Sequence, residues 1–116
     1  MKLVVAGCRD YNDYDRTKKI LDQFYNKFKN DLIILSGGAK GTDSLGGRYA
    51  KENNLKLQVF PANWTRYGKK AGPIRNEQMA KACNAVLAFW DGKSKGTRSM
   101  LKLAKKYNKK IYIIKI

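Results

Sequence analysis

Short apolar runs alternate with longer amphipathic stretches along the chain. The apolar runs cover residues 3–6, 32–35, 55–60, 85–90 and 111–114, each bounded by turn-forming residues. They are rich in Val, Ile, Leu and aromatics, as strands buried on both faces tend to be. The stretches between them follow a helical period. Over residues 13–28, Ile20, Leu21, Phe24 and Phe28 share a face, with Lys18, Lys19, Asp22 and Gln23 elsewhere. Asp13 or Asp15 suits its N-terminal cap, and Asn30 suits a left-handed residue at its end. A second helix is expected over 42–53. A third is expected over 73–84, with Pro73 in its first turn. A fourth follows Gly96, with Met100, Leu103, Ala104 and Tyr107 on one face and Arg98, Lys102, Lys105 and Lys109 on another.

Strand-helix alternation of this kind predicts an α/β fold of three layers. About five parallel strands carry helices on both faces, joined by right-handed crossovers. At 116 residues the chain fits a single domain over 1–116. No apolar run approaches the roughly 20 residues of a membrane span, so no membrane partner is expected. The start is too short and too soon charged, at Arg9 and Asp10, for a signal peptide, and a cytoplasmic location is expected. Cys8 and Cys83 suggest small packed thiols, and no metal site is expected. The chain has no histidine, which removes Ser-His and Cys-His nucleophile pairs. The balance of 25 Lys+Arg against 9 Asp+Glu gives a net charge of +16, a field that attracts phosphorylated ligands and polyanions. After Asp91 the chain is basic with no acidic residue. The plainest account of that run is a solvated helix face.

In parallel sheets of this kind ligands bind outside the carboxyl ends of the strands, where strand order reverses. Four post-strand segments are polar and carry glycine. In the first, Gly7 ends the strand, Arg9 suits a phosphate and Asp10 suits a ribose hydroxyl or a base. Its plain alternative is a turn holding an Arg–Asp pair. In the second, Ser36, Gly37, Gly38, Ala39, Gly41 and Asp43 lead into a helix. Backbone N–H groups there would approach an anion closely. This loop has neither the Walker ending nor the dinucleotide fingerprint. The third segment spans 61–76 and reads as a long functional loop. Trp64 in it would stack on a base or close over the sheet edge as a hydrophobic lid, while Arg75 and Asn76 would lie in the first turn of the third helix. In the fourth, Asp91, Gly92, Ser94, Gly96 and Thr97 precede a helix N-terminus, where hydroxyls and amides would hold a phosphate.

Together these residues resemble the YspA-like branch of the SLOG superfamily, a Rossmann-like group. The matching pattern is Gly7-x-Arg9-Asp10, Ser36-Gly37-Gly38-Ala39-x-Gly41-x-Asp43, Pro61-Ala62-Asn63-Trp64, Gly68-Lys69-x-Ala71-Gly72-Pro73-x-Arg75-Asn76-x-x-Met79, and Phe89-Trp90-Asp91-Gly92-x-Ser94-x-Gly96-Thr97. Asn63 departs from the usual aspartate, and Cys8 from a common serine. The resemblance implies a Rossmann-like sandwich with a nucleotide-related ligand on the glycine-bearing loops. It fixes the site better than the activity, since the superfamily holds enzymes, nucleotide sensors and the DNA-processing protein A branch. In the related LOG phosphoribohydrolases a glutamate closes the second motif, and Met100 stands at the matching position. A methionine does no acid-base work, which argues against that route of N-glycosidic cleavage.

Three functions follow, in order of weight. The first is a sensor, carrier or sequestering protein for a nucleotide or nucleotide-derived small molecule, with no further cofactor. The second is an enzyme on a nucleotide or nucleoside phosphate, with Asp10, Asp43 and Asp91 as candidate acid-base residues and Glu77 nearby. The third is a nucleic-acid-binding protein using the basic fourth helix. A homo-oligomer is compatible with the chain, though no residue demands one.

Overall fold

The apolar runs form one parallel sheet whose two most apolar members stand at its centre. The computed structural model describes residues 1–38 and 42–116, the side chains of Thr42 and Asp43 excepted. Strands β1 (Lys2–Gly7), β2 (Ile33–Ser36), β3 (Lys56–Val59), β4 (Ala85–Trp90) and β5 (Lys110–Lys115) lie in the order β3-β2-β1-β4-β5. Every neighbouring pair is parallel. Helices α1 (Tyr14–Phe28) and α2 (Thr42–Glu52) cover one face, and α4 (Ala71–Ala82) and α5 (Lys95–Lys106) the other. Between them a single turn, α3 (Trp64–Tyr67), leads through a 3-10 turn at Gly68–Lys70 into α4. The result is a Rossmann-like three-layer sandwich.

The two-residue period of the central strands builds two cores. Leu3 and Val5 of β1, with Ala85, Leu87 and Phe89 of β4, pack against Leu21 of α1 and Tyr49 of α2. Val4, Ala6, Val86 and Ala88 point the other way, onto Met79 and Ala80 of α4 and Met100 and Ala104 of α5. The outer strands differ from expectation. β3 is exposed along its whole length, and β5 over most of it. Leu57, Val59, Tyr112 and Ile113 reach solvent because these strands form the two edges, beyond full cover by the helices.

Helix ends follow local chemistry. Asp13, rather than Asp15, caps α1, its side chain accepting the Arg16 N–H at 3.1 Å. Lys29, not Asn30, takes positive φ at the helix end, because the chain turns one residue early into the 3-10 turn Lys29–Asp31. Asparagine does supply that conformation after α2 and α5, at Asn54 and Asn108. The third helix starts at Ala71, two residues before Pro73, which puts Arg75 and Asn76 in its second turn rather than its first. Much of the expected loop is helical too, because the Asn63 side chain accepts the Arg66 N–H at 3.1 Å and so caps α3. No described helix is long and apolar enough to cross a membrane.

One buried polar contact ties α1 to α2. The hydroxyl of fully buried Tyr49 donates to Asp22 Oδ1 at 2.6 Å. That hydrogen bond, helped by Lys18, holds the Asp22 carboxyl below its usual range, while burial first and Asp22 second push the Tyr49 hydroxyl up. Asp22→Ala strands a buried donor and is expected to cost about 1–3 kcal/mol in denaturant unfolding at neutral pH. A carboxyl with a lowered folded pKa stabilises fully above its unfolded value, and that contribution fades as pH falls through the folded value. The gap between parent and variant should therefore narrow in acid. Equal unfolding midpoints at neutral pH would show that the contact contributes nothing.

Candidate functional site

Strand order reverses between β1 and β4, so the loops leaving them part and open a crevice at the sheet edge. A cavity of about 610 Å³ lies there. Each wall has a local cause. On the β1 side, the Cys8 N–H donates to the Phe89 carbonyl at 3.3 Å, and the Tyr11 ring stacks on Phe89 with centroids 5.0 Å apart. These contacts pin the β1 loop to the end of β4 and leave Arg9 and Asp10 exposed at the cavity. Among the described residues no ion pair joins Arg9 to Asp10.

On the β4 side, Asp91 organises the loop. Its Oδ1 accepts the N–H groups of Lys93 and Ser94, each at 2.8 Å, across Gly92 in left-handed backbone at φ 82°. The same two N–H groups hold the Asp91 carboxyl below its usual range. Ser94 then starts α5, its carbonyl accepting Trp90 Nε1–H at 3.2 Å and its hydroxyl accepting that of Thr97 at 3.2 Å. The first helical bond of α5 runs from the Arg98 N–H to the Ser94 carbonyl at 3.1 Å. The amides of Lys95, Gly96 and Thr97 precede it, as in the opening turn of any helix. Among the described residues, and apart from its chain neighbours and its own helix backbone, nothing lies within 4 Å of the place a Gly96 Cβ would occupy.

α4 closes the third side and braces the other two. Arg75 Nη1 donates to the Gly37 carbonyl at 2.7 Å, and its Nε donates to Asn76 Oδ1 at 3.0 Å. Buried Asn76 passes the contact on, its Nδ2 reaching the Gly96 carbonyl at 3.4 Å. Arg75 and Asn76 thus tie the loop after β2 to the start of α5 while lining the cavity. Trp64, 56% exposed, stands at the rim with its ring over Gly72, where an added Cβ would lie 3.5 Å from the ring.

Gly7, Arg9, Asp10, Trp64, Arg75, Asn76, Asp91, Ser94, Gly96 and Thr97 are therefore brought together. Ser36, Gly37, Gly38 and Gly92 stand outside the cavity wall. β2 lies on the far side of β1 from β4, and Gly38 after it sits against β3: it has φ 74°, and a Cβ on it would meet Val59 at 3.1 Å. Ala39, Gly41 and the side chain of Asp43 lie outside the described residues. The wall also holds residues that loop reading passed over. Cys8 and Ser99 join it, buried Met79 and Met100 form an apolar part, and Lys95 brings the charge that the fourth segment offers a phosphate. Burial raises the Cys8 thiol above its ordinary range. Met100 was visible in helical spacing, on one face of the last helix, and Met79 only in the family pattern.

The fold and this edge define a Rossmann-like protein of the SLOG type. The chain belongs to the YspA, cpYpsA-related SLOG family, whose sequence profile matches residues 1–67. It is 31% identical over 111 residues to the Gene 61 protein of Mycobacterium phage D29, covering 90% of this chain and 89% of the phage protein. Its fold is like that of DNA processing protein A from Streptococcus pneumoniae, with a TM-score of 0.77 at 19% identity over 97% of this chain and 49% of that one. It is also like DNA processing protein A from Helicobacter pylori, a protein described for its single-stranded DNA binding mode. There the TM-score is 0.68 at 20% identity, over 97% of this chain and 64% of that one. The chain thus spans about half to two-thirds of those two proteins, and at such identities the likeness is one of fold.

Proposed function

We propose that the chain binds a nucleotide or nucleotide-derived ligand in the cavity between the β1 and β4 loops, with a phosphate at the start of α5. The observation that carries this reading is a convergence of three features that attract anions. The opening turn of α5 faces open space at Gly96, and Arg75 and Arg9 line the same cavity. Asp10 suits a ribose hydroxyl, and the exposed Trp64 ring at the rim suits a base. The volume falls within the range of about 300–1,000 Å³ common to small-molecule sites.

The reading is of a binder rather than an acid-base enzyme. Met100 in the wall offers a thioether where the related hydrolases carry a carboxylate. Asp91 is committed to the Lys93 and Ser94 N–H groups and remains an anion, which suits a structural cap better than a general base at neutral pH. Calorimetry against AMP, ADP-ribose, NAD and cyclic dinucleotides, with each mixture checked for turnover, tests both classes. Binding without conversion is expected, and conversion would make the chain an enzyme. Trp64→Ala should weaken the binding by about 1–3 kcal/mol, the worth of one stacked base. An unchanged affinity would take the base away from Trp64.

Nucleic-acid binding is a second reading, favoured by the net charge of +16 and by the fold shared with the H. pylori protein. Affinity for DNA that persists at physiological salt would support it, since purely electrostatic capture falls steeply with salt.

A further inference from the structure

A second groove opens beside the cavity, between α4 and α5, with a volume of about 510 Å³. The two spaces share Pro73, Lys95 and Ser99, so one runs into the other. Lys70, Lys95, Arg98 and Lys102 line the groove against a single acidic residue, Glu77. That carboxylate is already engaged, accepting the Tyr107 hydroxyl at 2.9 Å and facing Lys81 Nζ at 3.4 Å. Pro73, Ile74 and Leu103 give the groove an apolar lining. Cations above an apolar lining suit a chain of phosphates that also carries flat, weakly polar groups. A mononucleotide seated at Gly96 would leave this groove empty.

We infer that the site takes the end of a single-stranded oligonucleotide, its terminal nucleotide in the cavity and its following phosphates along the α4–α5 groove. The inference rests on the nucleotide reading of the cavity and gives that ligand its length. It also joins the two functional readings into one continuous surface. A duplex keeps its terminal bases paired, so it would have to fray before one nucleotide could enter the cavity. A polyanionic peptide would satisfy the cations but leave the rim aromatic and the apolar lining without flat partners.

The test is calorimetry with 5′-phosphorylated thymidine oligonucleotides of one, three and six residues, repeated over a salt series. Affinity is expected to rise about tenfold or more from the mononucleotide to the hexanucleotide. The slope of log affinity against log salt should steepen by about 2, since about three of the added phosphates would lie against groove cations and each contributes about 0.7 for single strands. The double variant K70E/K102E, altered only in the groove, should bind the mononucleotide like the parent and lose the gain with length. Length-independent affinity would overturn this inference alone, as would a K70E/K102E variant that keeps the gain, or an equal gain with polyglutamate. Absence of mononucleotide binding by the parent would overturn the cavity reading and this inference with it.

Discussion

Gly96→Leu is expected to lower nucleotide affinity at least about a hundredfold while leaving thermal stability unchanged or slightly higher. Gly96 lies in the first turn of α5, with open space around the position of its missing side chain. Beyond its own helix, a leucine there meets no described atom near its Cβ, so the described fold has nothing to yield. Helix propensity favours the change by about 0.5–1 kcal/mol over glycine. The same side chain fills the place assigned to the phosphate and covers the amides of the opening turn with hydrocarbon. An anion deprived of those donors loses charge-assisted hydrogen bonds, worth about 1.5–3 kcal/mol each. Affinity by calorimetry and melting by calorimetric scan, on one preparation, separate the two effects. A variant that melts like the parent and still binds would move the ligand off α5. One that melts much lower would mean that the space at Gly96 is structural.

The sequence was most legible where a residue's neighbours along the chain decide its role. β1 and β4 are continuous apolar runs because they have strands on both sides and helices on both faces, and that pattern needs no knowledge of strand order. Residues 55–60 and 111–114 carry similar runs, yet become edges. An apolar run does not reveal whether a strand has one neighbour or two, and only the order β3-β2-β1-β4-β5 settles it. The same ignorance of order affected the site. All four glycine-bearing segments looked equivalent from the sequence. The loops after β1 and β4 flank the point of reversal, while Gly37, after β2, is joined to it through Arg75. Arg75 and Asn76 were legible as residues near the start of a helix at the ligand edge, though the helix begins at Ala71 and holds them in its second turn. Their bracing of two loops depends on distances no spacing encodes. The helical turn at Trp64–Tyr67 was hidden behind Pro61 and Gly68, although Asn63 three residues before Arg66 is a cap signal of the ordinary kind.

Two adjacent glycines in α2 should respond in opposite directions, with the larger effect at Gly46. A Cβ on Gly46 would lie 3.0 Å from Val5 Cβ, 3.2 Å from its Cγ1 and 3.4 Å from its Cγ2. Val5 is fully buried in β1, and its β-branched side chain has little rotamer freedom with which to retreat. The glycine is therefore what lets α2 sit close on the sheet. Gly46→Val would force the helix outward or distort the strand, an overpacking expected to cost about 3 kcal/mol and to lower the melting temperature by roughly 12 °C. A Cβ on Gly47 would instead lie 3.6 Å from Leu57 Cδ2, an ordinary contact. Gly47→Ala should then gain up to about 1 kcal/mol from helix propensity. Because the two positions share one helix, a general intolerance of α2 to side chains would lower both variants together. A fall at Gly46 with a rise at Gly47 requires that close approach to Val5, not backbone flexibility, is the reason for the first glycine. If Gly46→Val melted like the parent, α2 would not be held against β1 at the distance described, and the start of that helix would be free to shift relative to the sheet edge.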